Sequence, residues 1–354
     1  MYTSCGHDEE PFVSMVINCY NYGCLLPRLF SSIRGQTFKD FEVVIVNDCS
    51  TDDSDLVISA FIDSNPDIRV KYIRNEKRKG IGEGQNAGAF AASGRYLMFI
   101  DADDWMEDDC LETLVGSTVD EPDRVIGSYR YVDAQGKVLK EQVIDGDLST
   151  RWFYTMQQAN LFKRSVYVGN NITISNSRFQ DNEATFRFDM FCRSVSYVQK
   201  ITYNYYIHSS ESRDNSEIYQ KMVEGNDYWL TGDLFRKYKD DIYDNLDSAD
   251  KSLFEYAVIR FYYSIILQRV QGLRYRQARE IYGIIRHSFI ENFPDYLKNE
   301  HIRERRVGND RTRRMVVPMC SLVEKTRMMG PFLFLYTLFT KNHTIMNRCG
   351  RHIC

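Results

Sequence analysis

Short apolar runs alternate with helically spaced apolar positions through the first hundred residues. Residues 12–20 carry a run with little polar interruption, the pattern of a buried strand. Leu25, Leu26, Leu29, Phe30 and Ile33 follow at helical spacing, and Gly35-Gln36 closes that helix. A second strand is expected over Phe41–Val46, then a polar turn, Asn47 to Asp53, where Ser50 or Thr51 caps a helix through Leu56 and Phe61. A third strand is expected over Arg69–Ile73. After a glycine-rich loop, a helix through Asn86–Ala92 leads to a fourth strand, Tyr96–Ile100. Strands alternating with helices predict an α/β fold with a parallel, doubly wound sheet.

Beyond Trp105 the pattern changes. Val125–Val132, the turn Ala134-Gln-Gly-Lys137, then Val138 and Leu139 read as a hairpin, so the sheet becomes mixed. From about Glu217 the spacing is helical, as in Phe254, Val258, Phe261, Tyr262, Ile265 and Ile266. The polar run 209–217 marks the boundary. The expected division is a body over 1–215, with halves 11–104 and 105–215, and a helical region over 216–354.

The composition supports a real core, since the 354 residues include 24 Tyr and 21 Phe. Nine cysteines without a CxxC pair or zinc spacing suit reduced thiols in the cytoplasm. The acidic N-terminus, Met1–Pro11, lacks the apolar stretch of a signal peptide, and no segment reaches the ~20 apolar residues of a membrane span. The net charge of −4 hides an asymmetry. Residues 301–354 hold eleven Lys/Arg against three Asp/Glu, which puts +8 there and −12 on the rest. A basic tail on an acidic body implies an anionic partner for the tail. Within it, Met328–Phe339 is apolar and flanked by Lys325, Arg327 and Lys341, so it lies either in a membrane interface or against protein, on this body or a second copy.

The candidate chemistry sits at strand ends. The run Tyr96–Ile100 ends in Asp101, Asp103 and Asp104, which is costly unless a cation shares the site. Hard oxygen donors suit Mg²⁺ or Mn²⁺ and a substrate phosphate; the alternative is a solvated acidic loop. Two other polar clusters, Asn18–Asn21 and Asn47–Ser50, also fall at strand ends, and in such sheets ligands bind beyond the carboxyl ends of the strands. The three clusters are therefore expected to line one crevice. The loop Gly80–Gly88 lacks G-x-G-x-x-G spacing and follows the third strand, which argues against dinucleotide binding. Its glycines either admit a phosphate or tighten a turn. Lys77-Arg78-Lys79 reads as a solvated loop, and no nucleic-acid partner is expected.

Taken in order, Val13–Asn21, Leu29–Asp52 and Asn86–Asp104 resemble a family 2 glycosyltransferase of the A-type fold, over roughly residues 11–215. The resemblance implies an inverting, metal-dependent transfer of a sugar from a nucleotide donor, commonly a UDP-sugar, to a glycan or lipid-linked acceptor in surface polysaccharide synthesis. It implies that Tyr20, with Asn21, and Asp48 hold the base, that Asp101 lies near the ribose, and that Asp103 binds metal with Asp104 beside it. Phe179–Arg187 resembles the segment carrying the general base, aligned to Asp181 with Glu183 as its acidic neighbour and second candidate. Tyr203–Arg213 resembles the closing segment of many family domains, so His208 either reaches the metal or diphosphate or is structural. Trp152 and the segment Gln157–Arg164 fall among acceptor-contacting positions, and Trp152 either stacks on a sugar or is buried.

The chain departs from the family pattern at several places. Asn18-Cys19 replaces Pro-Thr, Cys49 stands where glycine is usual, and Gln85 takes the place of an arginine that would face the donor diphosphate. Gln180 replaces the acid before the base. These losses leave open a rival reading, a non-catalytic nucleotide-sugar-binding or scaffolding protein of the same fold.

Overall fold

The computed structural model describes residues 2–3, 10–177, 179–207, 219–220, 222–224, 234–303 and 311–342. The chain forms two compact units: 1–148 with 155–208, and 149–154 with 209–354. The division departs from the contiguous 1–215 body expected from sequence. Ser149–Tyr154 leaves the first unit because its apolar side chains pack on a helix of the second.

The first unit is built on one sheet, holding ten strands among the described residues: β1 (Tyr2–Thr3), β2 (Val13–Cys19), β3 (Phe41–Asn47), β4 (Arg69–Arg74), β5 (Tyr96–Asp101), β6 (Trp105–Met106), β7 (Arg124–Val132), β8 (Val138–Gln142), β9 (Asn160–Lys163) and β10 (Val195–Tyr206). Their order is β1-β4-β3-β2-β5-β9-β7-β10-β6, with β8 paired to β7. Strands β4, β3, β2 and β5 run parallel. The antiparallel strand β9 joins β5 to β7, so the sheet is mixed, as the change of pattern after Trp105 predicts.

The crossover helices α1 (Leu26–Gly35) and α2 (Ser54–Ser64) lie where expected, although Asp53 precedes α2 in place of a Ser50 or Thr51 cap. Helix α3 (Ile81–Ala91) begins earlier than expected and takes in most of the glycine-rich stretch. Pro27 opens α1, where its missing N–H costs nothing. Leu26, Leu29, Phe30 and Ile33 form its buried face. Strand β3 is buried along its whole length, as a central parallel strand must be. Val16, Val44, Leu97, Phe99 and Phe162 meet Ala89, Tyr167 and Phe188 in one core cluster. Helix α3 comes unusually close to the sheet there. A Cβ on Gly88 would sit 2.4 Å from Val16 Cγ1. Shorter helices α4 (Cys110–Val115), α5 (Arg164–Gly169) and α6 (Gln180–Asp189) complete the unit.

The second unit is helical, with α7 (Leu234–Lys237), α8 (Ser248–Val270), α9 (Tyr275–Asn292), α10 (Arg311–Lys325) and α11 (Met329–Asn342). Asp247 caps α8 by accepting from the Ala249 and Asp250 amides. No helix among the described residues is long and apolar enough to cross a membrane. The six described cysteines are all free thiols.

Candidate active site

Parallel register brings the three polar clusters together. Asn18 pairs with Asp101 across β2 and β5, and Cys19 pairs with Asn47 across β2 and β3. One sheet edge therefore carries all three, as their strand-end positions predict.

Asp101, Asp103 and Asp104 each offer an oxygen within 4.8 Å of the others. The set is all hard oxygen, the donor chemistry that Mg²⁺ and Mn²⁺ take. The three acids are not equivalent. Asp104 is 1% exposed, and both its oxygens are engaged. Tyr203 Oη donates to Oδ2 at 2.8 Å, and the Tyr206 amide donates to Oδ1 at 2.8 Å. Burial first, then Asp101 and Asp103, push its carboxyl well above the usual range. Asp104 is thus held to β10, while Asp101 and Asp103 are only partly buried.

Arg28 on α1 is a cation the motif does not reveal. Its Nη2 donates to the Asp103 carbonyl at 2.6 Å, and its guanidinium lies 3.8 Å from the Trp105 ring centre and 4.6 Å from that of Tyr206. Those contacts fix the loop that presents the acids.

The base candidate is tied to the same cluster. Asp181 lies in the first turn of α6, and burial raises its carboxyl to about 6. Its Oδ1 is buried without a hydrogen-bond partner among the described residues. Gln158, 1% exposed, donates from Nε2 to Asp101 Oδ2 at 2.9 Å, and its amide lies near enough to Asp181 to favour the ionised carboxyl. The sequence places Gln158 only within the acceptor-contacting segment Gln157–Arg164 and does not tie it to the acids.

Glu183, the second base candidate, has another role. Ser175 Oγ donates to Oε2 at 2.5 Å, and Arg187 Nε donates to Oε1 at 3.2 Å. It anchors the loop before α6 to the helix, and both its oxygens are committed.

At the nucleotide end, Asp48 is 1% exposed and latches the loop over residues 75–80. Asn75 Nδ2 and the Lys79 amide donate to Oδ1, both at 2.8 Å, and the Gly80 amide to Oδ2 at 2.7 Å. That loop is not merely solvated, since it aims the Arg78 guanidinium at Tyr20, 4.0 Å from the ring centre. Asn21 is exposed, in the left-handed region at φ 59°, and accepts from the Thr51 amide at 2.8 Å. It braces the β2 loop against the β3 loop. Cys49 takes φ 64°, which explains why glycine is usual at that position. Gln85 on α3 is buried, with Oε1 lacking a partner among the described residues.

The glycine-rich loop tightens packing instead of opening a phosphate cradle. Asn176 Oδ1 accepts from the Gly82 amide at 2.9 Å, so the chain itself occupies the N-terminus of α3. A Cβ on Gly84 would lie 1.8 Å from Asn18 Oδ1, and one on Gly82 2.5 Å from the Ser175 carbonyl oxygen.

One expectation falls away from the site. Trp152 belongs to the second unit, fully buried, with its ring 5.1 Å from Phe254 and its Nε1 donating to Asp250 at 3.2 Å. It fills a core and presents no face to an acceptor. His208, like the 209–217 boundary run, lies outside the described residues.

Comparison with known proteins bears on the family and the fold. The family model "Glycosyl transferase family 2" matches residues 14–181, which contain every acid of the cluster and Asp181. Residues 14–181 carry a glycosyl transferase family 2 domain. Bacillus subtilis EpsH is 30% identical over 218 residues, covering 57% of this chain and 62% of EpsH. Staphylococcus aureus TarP, a poly(ribitol-phosphate) beta-N-acetylglucosaminyltransferase, is 25% identical, covering 69% of this chain and 77% of TarP. Among solved structures, the Pyrobaculum calidifontis mannosyltransferase PcManGT in complex with GDP-Man and Mn²⁺ superposes with a TM-score of 0.53 at 14% identity. It covers 94% of this chain and 88% of that one. At that identity the likeness speaks to the fold, and it gives this chain the A-type architecture that the sheet order describes.

Proposed function

We propose that the protein is a metal-dependent, inverting glycosyltransferase that moves a sugar from a UDP-sugar to a glycan or lipid-linked acceptor in surface polysaccharide synthesis. The observation that carries this reading is Gln158, which donates to Asp101 and neighbours Asp181, so that a raised, partly unsatisfied carboxyl stands beside the acid cluster. An N-acetylhexosamine donor is favoured because TarP is named for that transfer.

In this reading Tyr20, backed by Arg78, presents its open face to the base, while Asp48 holds the loop that delivers Arg78. Asp101 and Asp103 would hold Mn²⁺ or Mg²⁺, with Asp104 fixing their loop, and the ion would offset charge on the departing diphosphate. Asp181 accepts the proton of the acceptor hydroxyl as that oxygen bonds to the anomeric carbon and the nucleoside diphosphate leaves. A single displacement inverts the configuration. Gln85, neutral where the family usually has arginine, leaves the diphosphate more dependent on the ion.

The same reading puts the enzyme at the cytoplasmic side of an anionic membrane through α10 and α11. Met315, Met319 and Leu322 on α10 and Phe334, Leu335, Leu338 and Phe339 on α11 are exposed. Residues 311–342 carry six Lys/Arg against one acid, Glu324, whose side chain is buried. A second copy on this face would oppose like charges, whereas anionic lipid complements them. Cosedimentation with phosphatidylglycerol vesicles should fall on Leu335→Lys/Phe339→Lys; unchanged partitioning overturns the contact.

The transfer reading is tested by UDP-sugar hydrolysis with and without Mn²⁺. Turnover should require the ion and vanish in Asp181→Asn while UDP binding persists. A protein that binds UDP-sugars but turns over none of a panel, with any metal or acceptor glycan, would be the non-catalytic relative instead.

A further inference from the structure

The helical unit contains a cavity of about 660 Å³ with an arginine-rich wall. Helix α9 places Arg279, Gly283 and Arg286 at i, i+4 and i+7, on one face. Arg327, at the junction of α10 and α11, closes the opposite side with the first turn of α11 at Met329 and Gly330. Among the described residues, the side chains of Arg279 and Arg327 make no hydrogen bond or ion pair. Arg327 also stands in the left-handed region at φ 59°, a conformation uncommon for a long side chain.

The one acid on the wall is already answered. Glu324 is 2% exposed in its side chain and accepts from the hydroxyls of Tyr262 at 2.9 Å, Tyr263 at 3.0 Å, Tyr282 at 2.6 Å and Tyr296. Arg286 Nε lies 3.7 Å from it. Four hydroxyl donors disperse that charge, and they hold the carboxylate as a post that orients Arg286. The cavity keeps a net positive wall, and the N-terminal turn of α11 adds the partial positive charge of its amides.

Gly283 supplies an independent observation. A glycine in a helix interior weakens the helix relative to alanine. Close approach usually explains it, as at Gly84 and Gly88. At Gly283 a Cβ would meet nothing within 4 Å, so no packing demand accounts for it. It widens the cavity between two arginines.

We propose that this cavity binds a phosphate-bearing ligand, larger than inorganic phosphate, gripped by Arg279, Arg286 and Arg327. Its volume is that of a small-molecule pocket, and guanidinium groups match phosphate oxygens in charge and planar geometry. The site stands on the helical unit alone and does not depend on the transfer reaction. A lipid headgroup and a soluble phosphorylated compound present the same chemistry, so the test separates them.

The full chain, in EDTA to silence the acid cluster, is titrated calorimetrically with inorganic pyrophosphate at low and high salt. Wild type should bind, more weakly at high salt. Arg279→Gln and Arg327→Gln should each weaken binding by about tenfold. Gly283→Leu, which adds a good helix former into open space, should abolish it, and Asp103→Ala should bind as wild type. In a second arm, the variants are cosedimented with phosphatidylcholine vesicles with and without phosphatidylglycerol. Loss of partitioning to the anionic vesicles in Gly283→Leu assigns the ligand to lipid; unchanged partitioning with lost pyrophosphate binding assigns it to a soluble phosphate. If Gly283→Leu matches wild type in both arms, or Asp103→Ala alone loses pyrophosphate, the site does not exist.

Discussion

Gln158 Nε2 donates to Asp101 Oδ2 at 2.9 Å, and the same buried amide lies beside Asp181 and favours its ionised form. A neutral side chain thus couples the acid cluster to the proposed base. Its amide partly opposes the burial that raises Asp181. Gln158→Leu should therefore push the Asp181 carboxyl higher still and shift the acidic limb of the kcat/KM profile to higher pH. The substitution also frees Asp101, so Mn²⁺ affinity should fall by about 10-fold or more, the usual consequence of losing an outer-shell partner. A profile and a metal affinity both unmoved would reduce Gln158 to core packing.

Asp181 makes a second, signed prediction. Its folded value of about 6 exceeds its ordinary 3.8. Ionisation therefore costs the folded state, fully above pH 6 and less as pH falls toward 4. Asp181→Asn should melt higher than wild type at pH 8, by on the order of 1–3 kcal/mol, with the gain fading near pH 4. The same variant should lose about 10²-fold or more in turnover. Wild-type kcat/KM should decline as pH drops through 6. Melting curves and rates across pH 4–8 check both halves; loss of stability in Asp181→Asn at pH 8 contradicts them.

Much of this site was readable because parallel strands align their ends. Asn18, Asn47 and Asp101 fall at run ends in the sequence, and register alone makes them neighbours. The residues that sequence reasoning missed act through tertiary contact. Arg28 reaches the acids from a helix 75 residues away in the chain, and Gln158 from a loop before β9. Neither has a spacing that distinguishes it from an ordinary surface or core position. The glycine-rich loop was ambiguous for a related reason. Close backbone approach looks the same in sequence whether the visitor is a phosphate or, as here, Asn176. Trp152 is open in sequence between sugar stacking and burial, and burial holds because its six-residue segment joins the helical unit, a choice made by Phe254 and Asp250 about a hundred residues later.

Tyr203 and Asp104 form the joint that holds the acids to β10. Tyr203→Phe deletes the donor to Asp104 Oδ2 and leaves a buried carboxylate with the Tyr206 amide. A loss of about 1–3 kcal/mol in metal-free stability is expected. Added Mn²⁺ should restore part of it, since a cation offsets the exposed deficit. Denaturant melts with and without Mn²⁺ measure this; equal losses in both conditions would place Asp104 outside the influence of any bound ion.

The stacking of Arg78 on Tyr20 predicts the base site. Arg78→Ala and Tyr20→Ala should each weaken UDP binding by roughly 5–30-fold. Because the two groups act on one base, the double variant should lose less than the two effects combined. Additive losses by calorimetry would mean that they contact different parts of the nucleotide.

Two glycine substitutions, chemically identical, should move stability in opposite directions. At Gly84 on α3 an added methyl would lie 1.8 Å from Asn18 Oδ1 and 2.6 Å from its Cγ, with the buried β2 strand behind. Asn18 cannot retreat without disturbing the sheet edge that carries the acids, so Gly84→Ala should destabilise by about 1–3 kcal/mol. It should also weaken UDP binding. At Gly283 on α9 the methyl enters open space, and the helix gains from losing a flexible residue. Gly283→Ala should stabilise by about 0.5–1 kcal/mol. Helix propensity alone predicts a gain at both positions, because both are helical. Opposite signs in parallel denaturant melts would therefore report the packing contact at Gly84 and the vacancy at Gly283, whereas a gain at both would mean the close approach of α3 to Asn18 is absent in solution.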